Sequence, residues 1–338
     1  MRNLAFISLN ALCSNAQAVR DKLSPSTKLC AVVKADAYGH GAEKCANALY
    51  KICDSFAVAI VEEGIRLRLS GVEKDILVLT PALAVDYVSA INHRLTLTIE
   101  SAREMEILSK VAEKLEKQVK VHLKFDTGMH RFGADSLSEI KKIISVAKIG
   151  RYVLIDGVYS HLYDPSDQNA VESQRKKFLL ANKLVKGYNS NATAHISASG
   201  GFLSGLEFDM VRIGILLYGY KPFPSKKVNI RPVMNINYPK LRERSLKKGE
   251  SALYGGDKLK KDEDYYIVRY GYADGLPRRK TEELIADRCM DVTGVLGETK
   301  GSWACVLKNA DELARKYGTI SYEILTKAAT RADRIYVT

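Results

Sequence analysis

No apolar run in this 338-residue chain approaches the roughly 20 residues a helix needs to cross a bilayer. No Cys-x-x-Cys pair occurs among Cys13, Cys30, Cys45, Cys53, Cys289 and Cys305, and four of them sit inside apolar runs. They read as small buried residues of a reduced, cytoplasmic compartment, which argues against a disulfide framework and against a zinc site. Internal repeats and low-complexity tracts are absent, as is any helix-turn-helix, zinc-ligand or RNP-like pattern of a nucleic-acid binder. No Gly-x-Gly-x-x-Gly turn follows the first strand-like run, which weighs against a doubly wound dinucleotide fold.

What is present is a globular composition. Hydrophobic residues make up 46% and charged residues 27%, enough to bury a sizeable core and to exclude disorder. Lys and Arg number 52 against 39 Asp and Glu, a net charge of +13. The excess is diffuse and reads as solvated surface, with neither a nucleic acid nor a membrane as partner. At the N-terminus, Leu4 to Ile7 resembles the start of a secretory signal, but Ser8, Asn10, Ser14 and Asn15 interrupt it. The segment reads as a short strand and then a helix over about 11–23.

Short runs rich in Val, Ile and Leu recur at 29–34, 54–60, 75–79, 95–99, 119–125, 153–160, 193–196 and 208–217. Helical patterns lie between them, for example at 42–52, 62–70, 101–117, 136–147 and 169–186. Ser101 followed by Glu104 is a capping-box signature. Strands alternating with helices imply parallel βαβ units, and about eight of them predict a (β/α)8 barrel. After Gly219 the texture changes: Pro222, Pro224, Pro232 and Pro239 cluster, and only 309–317 reads as a good helix. The expected organisation is an N-terminal strand, 1–10, packing with the C-terminal domain, a barrel over 11–230, and a mostly β domain over 231–338.

The strongest local signal is Val32-Val33-Lys34-Ala35-Asp36-Ala37-Tyr38-Gly39-His40-Gly41. A lysine ends an apolar strand and a glycine-bearing loop follows. In a barrel, active sites lie at the C-terminal strand ends, and a partly desolvated lysine there has a lowered pKa suited to nucleophilic work. Spacing alone leaves this open against an ordinary surface lysine.

The segment closely resembles the cofactor-lysine motif of alanine racemases, and further matches follow in the family's order. Leu9-Asn10-Ala11-Leu12 with Asn15 is similar to their strand-to-helix entry. Residues 124–133, Lys-Phe-Asp-Thr-Gly-Met-His-Arg-Phe-Gly, resemble a barrel loop. Val211-Arg212-Ile213-Gly214 with Leu217-Tyr218-Gly219 resembles the end of the barrel. Tyr254-Gly255-Gly256, Gly271-Tyr272-Ala273-Asp274-Gly275, Cys289-Met290-Asp291 and Ile320-Ser321-Tyr322-Glu323 resemble motifs of the C-terminal β domain. The resemblance runs from end to end.

What the resemblance implies is specific. Pyridoxal phosphate (PLP) would be held covalently on Lys34, with no metal, and alanine would be racemised by two bases. Lys34 would serve the D face of the substrate carbon and Tyr254, from the other subunit of a homodimer, the L face. A free tyrosine has a pKa near 10, so its phenolate needs a stabilising neighbour; the resemblance pairs Tyr254 with His161. Arg212 would face the pyridine nitrogen, oriented by His195. Tyr38, Ser199, Gly214, Ile215 and Tyr322 would hold the phosphate. Ala198 replaces the family's usual asparagine and Ile213 its usual proline. Arg131 and the backbone of Met290 would meet the substrate carboxylate, with Lys124 in the place of a lysine that is often carbamylated. Tyr272, Arg278 and Asp164 would line the access path, with Asp167 an alternative to Asp164.

The activity so implied is an isomerase supplying D-alanine for peptidoglycan. A broad-specificity amino-acid racemase and a non-catalytic PLP-binding barrel are the alternatives. The residues beyond the barrel, carrying the Tyr254 motif, weigh against the second. A PLP-dependent decarboxylase would need a reactive cysteine motif and a longer chain.

Overall fold

A computed structural model describes residues 3–298 and 301–338 and divides into two compact units. The larger comprises Leu12–Ala37 and Ala42–Ile230; the smaller comprises an N-terminal segment ending at Ala11, Tyr38–Gly41 and Arg231–Thr338. Strand β1 (Leu4–Ser8) belongs to the smaller unit.

The larger unit contains β2 (Lys28–Val32), β3 (Ser55–Val58), β4 (Ile76–Val78), β5 (Leu97–Ile99), β6 (Val119–Lys124), β7 (Val153–Tyr159), β8 (Thr193–His195) and β9 (Met210–Ile213). Every registered pairing among them is parallel, in the orders β4-β3-β2-β9 and β5-β6-β7-β8. Parallel bridges Leu77↔Thr96 and Ala198↔Arg212 join the two halves and close the ring. The result is the eight-stranded barrel that the strand–helix alternation predicts. β4, β5, β8 and β9 are buried at every residue. Strands covered on both faces are continuous apolar runs, which is why they stand out in the sequence.

The helices between strands show why the alternation is regular. Helix Ala102–Leu115 buries Met105, Leu108 and Ala112, one stripe at helical spacing. Its start is fixed by reciprocal bonds: Glu104 N–H donates to Ser101 Oγ at 3.2 Å, and Ser101 N–H donates to Glu104 Oε2 at 3.3 Å. The apolar run 208–217 outlasts its strand, because β9 ends at Ile213 and a tight turn follows. Within that turn Leu217 N–H donates to Gly214 O at 2.9 Å. Leu216, Leu217 and Tyr218 stay fully buried, so burial and not strand pairing makes the run apolar.

In the smaller unit, β10 (Met234–Leu246), β11 (Glu263–Val268), β12 (Thr293–Leu296), β13 (Trp303–Leu307) and β14 (Asp333–Val337) join β1 in one sheet. Its order is β12-β11-β10-β1-β14, with β13 also pairing β10. β1 runs antiparallel to β10, Leu4 opposite Asn237, and parallel to β14, Leu4 opposite Asp333. Helix Ala310–Tyr317 lies where the sequence pattern predicts one. A second helix, Ser321–Ala328, was not anticipated; it starts after Ile320, which offers no capping side chain, whereas Asn309 and Gly318 bracket the first. No helix among the described residues is long and apolar enough to cross a membrane.

Removing the cap of helix Ala102–Leu115 tests this packing. Ser101→Ala is expected to cost about 1 kcal/mol, read as a lower urea midpoint with an unchanged slope.

Candidate active site

The chemistry-bearing residues of the larger unit gather at one end of the barrel. Lys34 follows β2 by two residues, Lys124 ends β6, and Arg131 lies in the loop beyond it. His161 follows β7, His195 ends β8, Ser199 starts the next short helix, and Arg212 lies in β9 with Gly214 just after. These are the C-terminal strand ends, where barrel active sites form.

The chain leaves Lys34 in an unusual way. Ala35, Asp36, Ala37 and Tyr38 all take left-handed backbone angles, with φ of 50, 53, 54 and 53°. For residues with a Cβ, each such conformation costs about 1–2 kcal/mol, so the surroundings must impose it. Four bonds do so. Ala37 N–H donates to Val33 O at 2.8 Å, and Ala42 N–H to Asp36 Oδ1 at 2.7 Å. The Glu63 carboxylate accepts from Ala35 N–H at 2.6 Å and from Ala59 N–H at 2.7 Å. The turn ends at Gly39, whose φ is +83° and whose position leaves no room for a side chain: a Cβ would lie 2.5 Å from Leu325 O.

Around Lys34 the electrostatics are cationic. Burial lowers the Lys34 pKa, and the charges of Arg131 and Arg212 lower it further against the opposing pull of Glu63. Lys124 is 6% exposed, and burial, then Arg212 and Arg131, bring it down to about 8. Its Nζ stands over the rings of Phe132 at 5.0 Å and Tyr159 at 5.3 Å. The loop beyond is braced by Asp126, which accepts from the N–H groups of Gly128 at 2.8 Å and Met129 at 3.0 Å.

Arg212 is buried, and burial lowers its pKa to about 10, so it stays charged. Nη1 donates to His195 Nδ1 at 2.5 Å and Nη2 to Ser160 O at 2.8 Å, with His161 Nδ1 3.4 Å from Nη2. Among the described residues nothing accepts from Nε. Guanidinium only donates, so His195 Nδ1 must accept. The His195 proton therefore sits on Nε2, which lies 2.8 Å from His122 Nδ1 and donates to it. Burial first, then Arg212, holds His195 well below the usual imidazole range. Tyr159 stacks on His195 with an interplanar angle of 3°, and Arg212 stands over the same tyrosine ring at 5.0 Å. Gly157 makes room for His122, since a Cβ there would come within 2.8 Å of the imidazole.

Ser199 is buried, and its Oγ accepts from Gly214 N–H at 3.2 Å, which places a hydroxyl beside the turn that carries Ile215. Asp164 accepts from Ser166 N–H at 2.9 Å, whereas Asp167 caps helix Gln168–Tyr188 by accepting from Asn169 N–H at 2.8 Å. Both carboxylates thus accept bonds from within their own loop or helix start.

The remaining candidates belong to the smaller unit. Tyr38 and Tyr322 face each other with ring centroids 6.0 Å apart. Burial, then Asp311, pushes Tyr322 up to about 12, so its hydroxyl is a donor at neutral pH. Tyr254, Tyr272 and Met290 are exposed, and Arg278 lies 3.8 Å from Asp287. Two buried members of the arginine network, His122 and Tyr159, were not anticipated. The signal was available for His122: it stands two residues before Lys124 in β6, on the same inward alternation. No group of three or more metal-ligating side chains is placed to hold an ion among the described residues.

Residues 7–222 match the family described as alanine racemase, N-terminal domain, and residues 233–336 match alanine racemase, C-terminal domain. The chain is 32% identical to the alanine racemase of Streptococcus uberis, over 99% of this chain and 97% of that protein. It is 33% identical to that of Clostridium novyi, over 98% and 95%. Among solved structures, alanine racemase from Clostridium difficile superposes with a TM-score of 0.92 at 27% identity, covering 100% of this chain and 96% of that one. The Bartonella henselae enzyme, described with covalently bound pyridoxal phosphate, superposes at 0.88 with 26% identity and full coverage of both chains.

The buried imidazoles predict a pH dependence. Burial holds His122 near 4 and His161 near 3, against 6.5 for a free ring. Below pH 6.5 the unfolded chain binds protons that the folded barrel excludes, so stability falls as pH drops from about 6.5 towards 4. His122→Leu orphans the His195 N–H and is expected to cost about 1–3 kcal/mol at neutral pH while flattening that dependence. Urea midpoints measured across this range check both effects.

Proposed function

The chain belongs to the alanine racemase family of PLP-dependent isomerases, and we propose that it interconverts L-alanine and D-alanine with PLP held covalently on Lys34. The observation that carries this reading is the cluster of Lys34, Lys124, Arg131 and Arg212 at the C-terminal barrel rim, where the two guanidinium charges lower the proton affinity of both lysines. Such a cluster calls for anions, and a cofactor phosphate and a substrate carboxylate supply them. The residues fit the cofactor. The lowered pKa of Lys34 raises the share of neutral amine, the form that bonds to an aldehyde. Ser199 and the turn at Gly214 and Ile215 offer phosphate donors, joined by the hydroxyls of Tyr38 and Tyr322. Arg212 Nε–H is left for the ring nitrogen.

When bound, PLP withdraws electrons from the substrate Cα and makes its proton removable. The chain's residues then decide where that proton goes. Lys34 Nζ exchanges it on the D face and Tyr254 of the second subunit on the L face. The exposure of Tyr254, Tyr272 and Met290 in one protomer supports a homodimer in which they meet the other subunit's barrel. His161 is held neutral, so it serves Tyr254 as a hydrogen-bond partner. The positive charge that stabilises the phenolate comes from Arg131 and Arg212. Arg212 cannot give up its proton, so the ring nitrogen stays unprotonated and side reactions such as transamination are disfavoured.

Arg131 and the Met290 backbone N–H hold the substrate carboxylate, while Tyr272, Arg278 and Asp164 line the access path. Lys124 is buried among cations with a pKa near 8. Its neutral amine can add to carbon dioxide and release a proton, giving a carbamate anion that holds Arg131 in place. In this reading 11–230 forms the cofactor domain, and 231–338 with the strand in 1–10 presents the opposing base. The product would serve peptidoglycan synthesis in the cytoplasm.

Chiral chromatography of L-alanine incubated with the PLP-loaded protein is expected to show D-alanine accumulating towards equal amounts; no D-alanine would sink the assignment. Tyr254→Phe is expected to lose roughly 10²–10⁴-fold in rate while keeping the absorbance of bound PLP. Borohydride reduction followed by peptide mapping is expected to place the cofactor on Lys34.

A further inference from the structure

A cavity of about 330 Å³ lies in the smaller unit and is lined by none of the residues assigned above. Its size suits a small organic molecule. Val268 of β11, Val295 of β12 and Leu313 of helix Ala310–Tyr317 contribute apolar walls. Arg288 also lines it and is only 5% exposed.

This arginine lacks an anion. Its Nη1 donates to the carbonyls of Pro277 at 3.0 Å and Arg279 at 3.4 Å, and the guanidinium stands over the Tyr317 ring at 5.2 Å. Among the described residues no carboxylate pairs with it, and its Nε has no hydrogen-bond partner. Two more residues lining the cavity carry a polar atom in the same position, the buried hydroxyls of Tyr270 and Tyr317. The Leu276 backbone N–H approaches the Tyr270 oxygen as a donor, so the hydroxyl's own proton still lacks an acceptor. Burial raises the Tyr270 pKa, so its hydroxyl keeps a proton to donate. Buried donors are almost always satisfied, and a buried cation is costly without a counter-charge. Three orphaned donors on one cavity therefore describe the ligand that would complete them.

We propose that this cavity binds a small carboxylate, whose oxygens accept from Arg288 Nε–H and from the hydroxyls of Tyr270 and Tyr317. A single negative charge matches the lining, where Arg288, Lys308 and Lys316 stand against Glu283 and Glu312 and leave one positive charge in excess. The apolar walls receive the rest of the molecule. A doubly charged phosphate would exceed the available positive charge. The site is independent of the barrel chemistry and stands whether or not the racemase reading holds.

Fluorine NMR of para-fluorobenzoate titrated into the PLP-loaded protein tests the site. Saturable binding is expected, unaffected by excess L-alanine, and weaker for neutral para-fluorobenzamide. Tyr317→Phe removes only an unpartnered hydroxyl, so the fold should stand, and it is expected to weaken benzoate binding about ten-fold, the loss of one hydrogen bond to a charged acceptor. Arg288→Met is expected to abolish binding. No saturable binding, binding that Tyr317→Phe leaves unchanged, or displacement by L-alanine would each overturn the proposal.

Discussion

Arg212 sits inside the barrel with a full charge and, among the described residues, no carboxylate partner, and its neighbours are arranged around that fact. A buried cation ordinarily takes an acidic partner. Here it is held by carbonyl oxygens and by a neutral imidazole, His195, whose own proton is directed away to His122. Burial keeps both histidines neutral, and the Arg212 charge adds to that effect. The Tyr159 ring completes the enclosure by stacking on His195 and facing the guanidinium. Gly157 is part of the same constraint, since any side chain there would collide with His122.

The same excess of positive charge spreads to the rim. Lys34 and Lys124 both have lowered proton affinity, and the guanidinium charges contribute to each shift. A rim of this kind is preorganised for an anionic ligand, because the electrostatic cost of gathering cations is met during folding and relieved on binding. The left-handed turn after Lys34 is a second stored cost. Glu63 holds that turn through the N–H of Ala35, and its charge also moderates the lysine. One carboxylate thus supports backbone geometry and tunes the reactive amine.

The barrel was legible because its strands are short, buried and continuously apolar, and because amphipathic helices separate them. The Lys34 segment was legible as a strand followed by a glycine-bearing loop, but its left-handed course was not. Ala35 and Ala37 have no intrinsic preference for that region, and the bond from Ala35 N–H to Glu63, 28 residues further on, helps to select it. The second C-terminal helix has no capping residue at Ile320 to mark its start, and β14 is exposed or half-buried along its length, so it shows no apolar run. His122 could have been found by its alternation with Lys124, whereas nothing local distinguishes Tyr159 from an ordinary core tyrosine.

Residue order alone determined the (β/α)8 barrel, the place of Lys34 at a strand end and, through motifs shared along the chain, the family. Those properties depend on local periodicity and on residues close in sequence. The tertiary structure decided which side chains share an electrostatic environment. The His122–His195–Arg212 chain links residues 122, 195 and 212 through three separate strands, and their proton positions follow from that contact alone. The same holds for Arg288, Tyr270 and Tyr317, whose missing partners appear only once burial has removed water from them. Burial and long-range proximity are properties of the folded chain, and they set the charge states on which the chemistry rests.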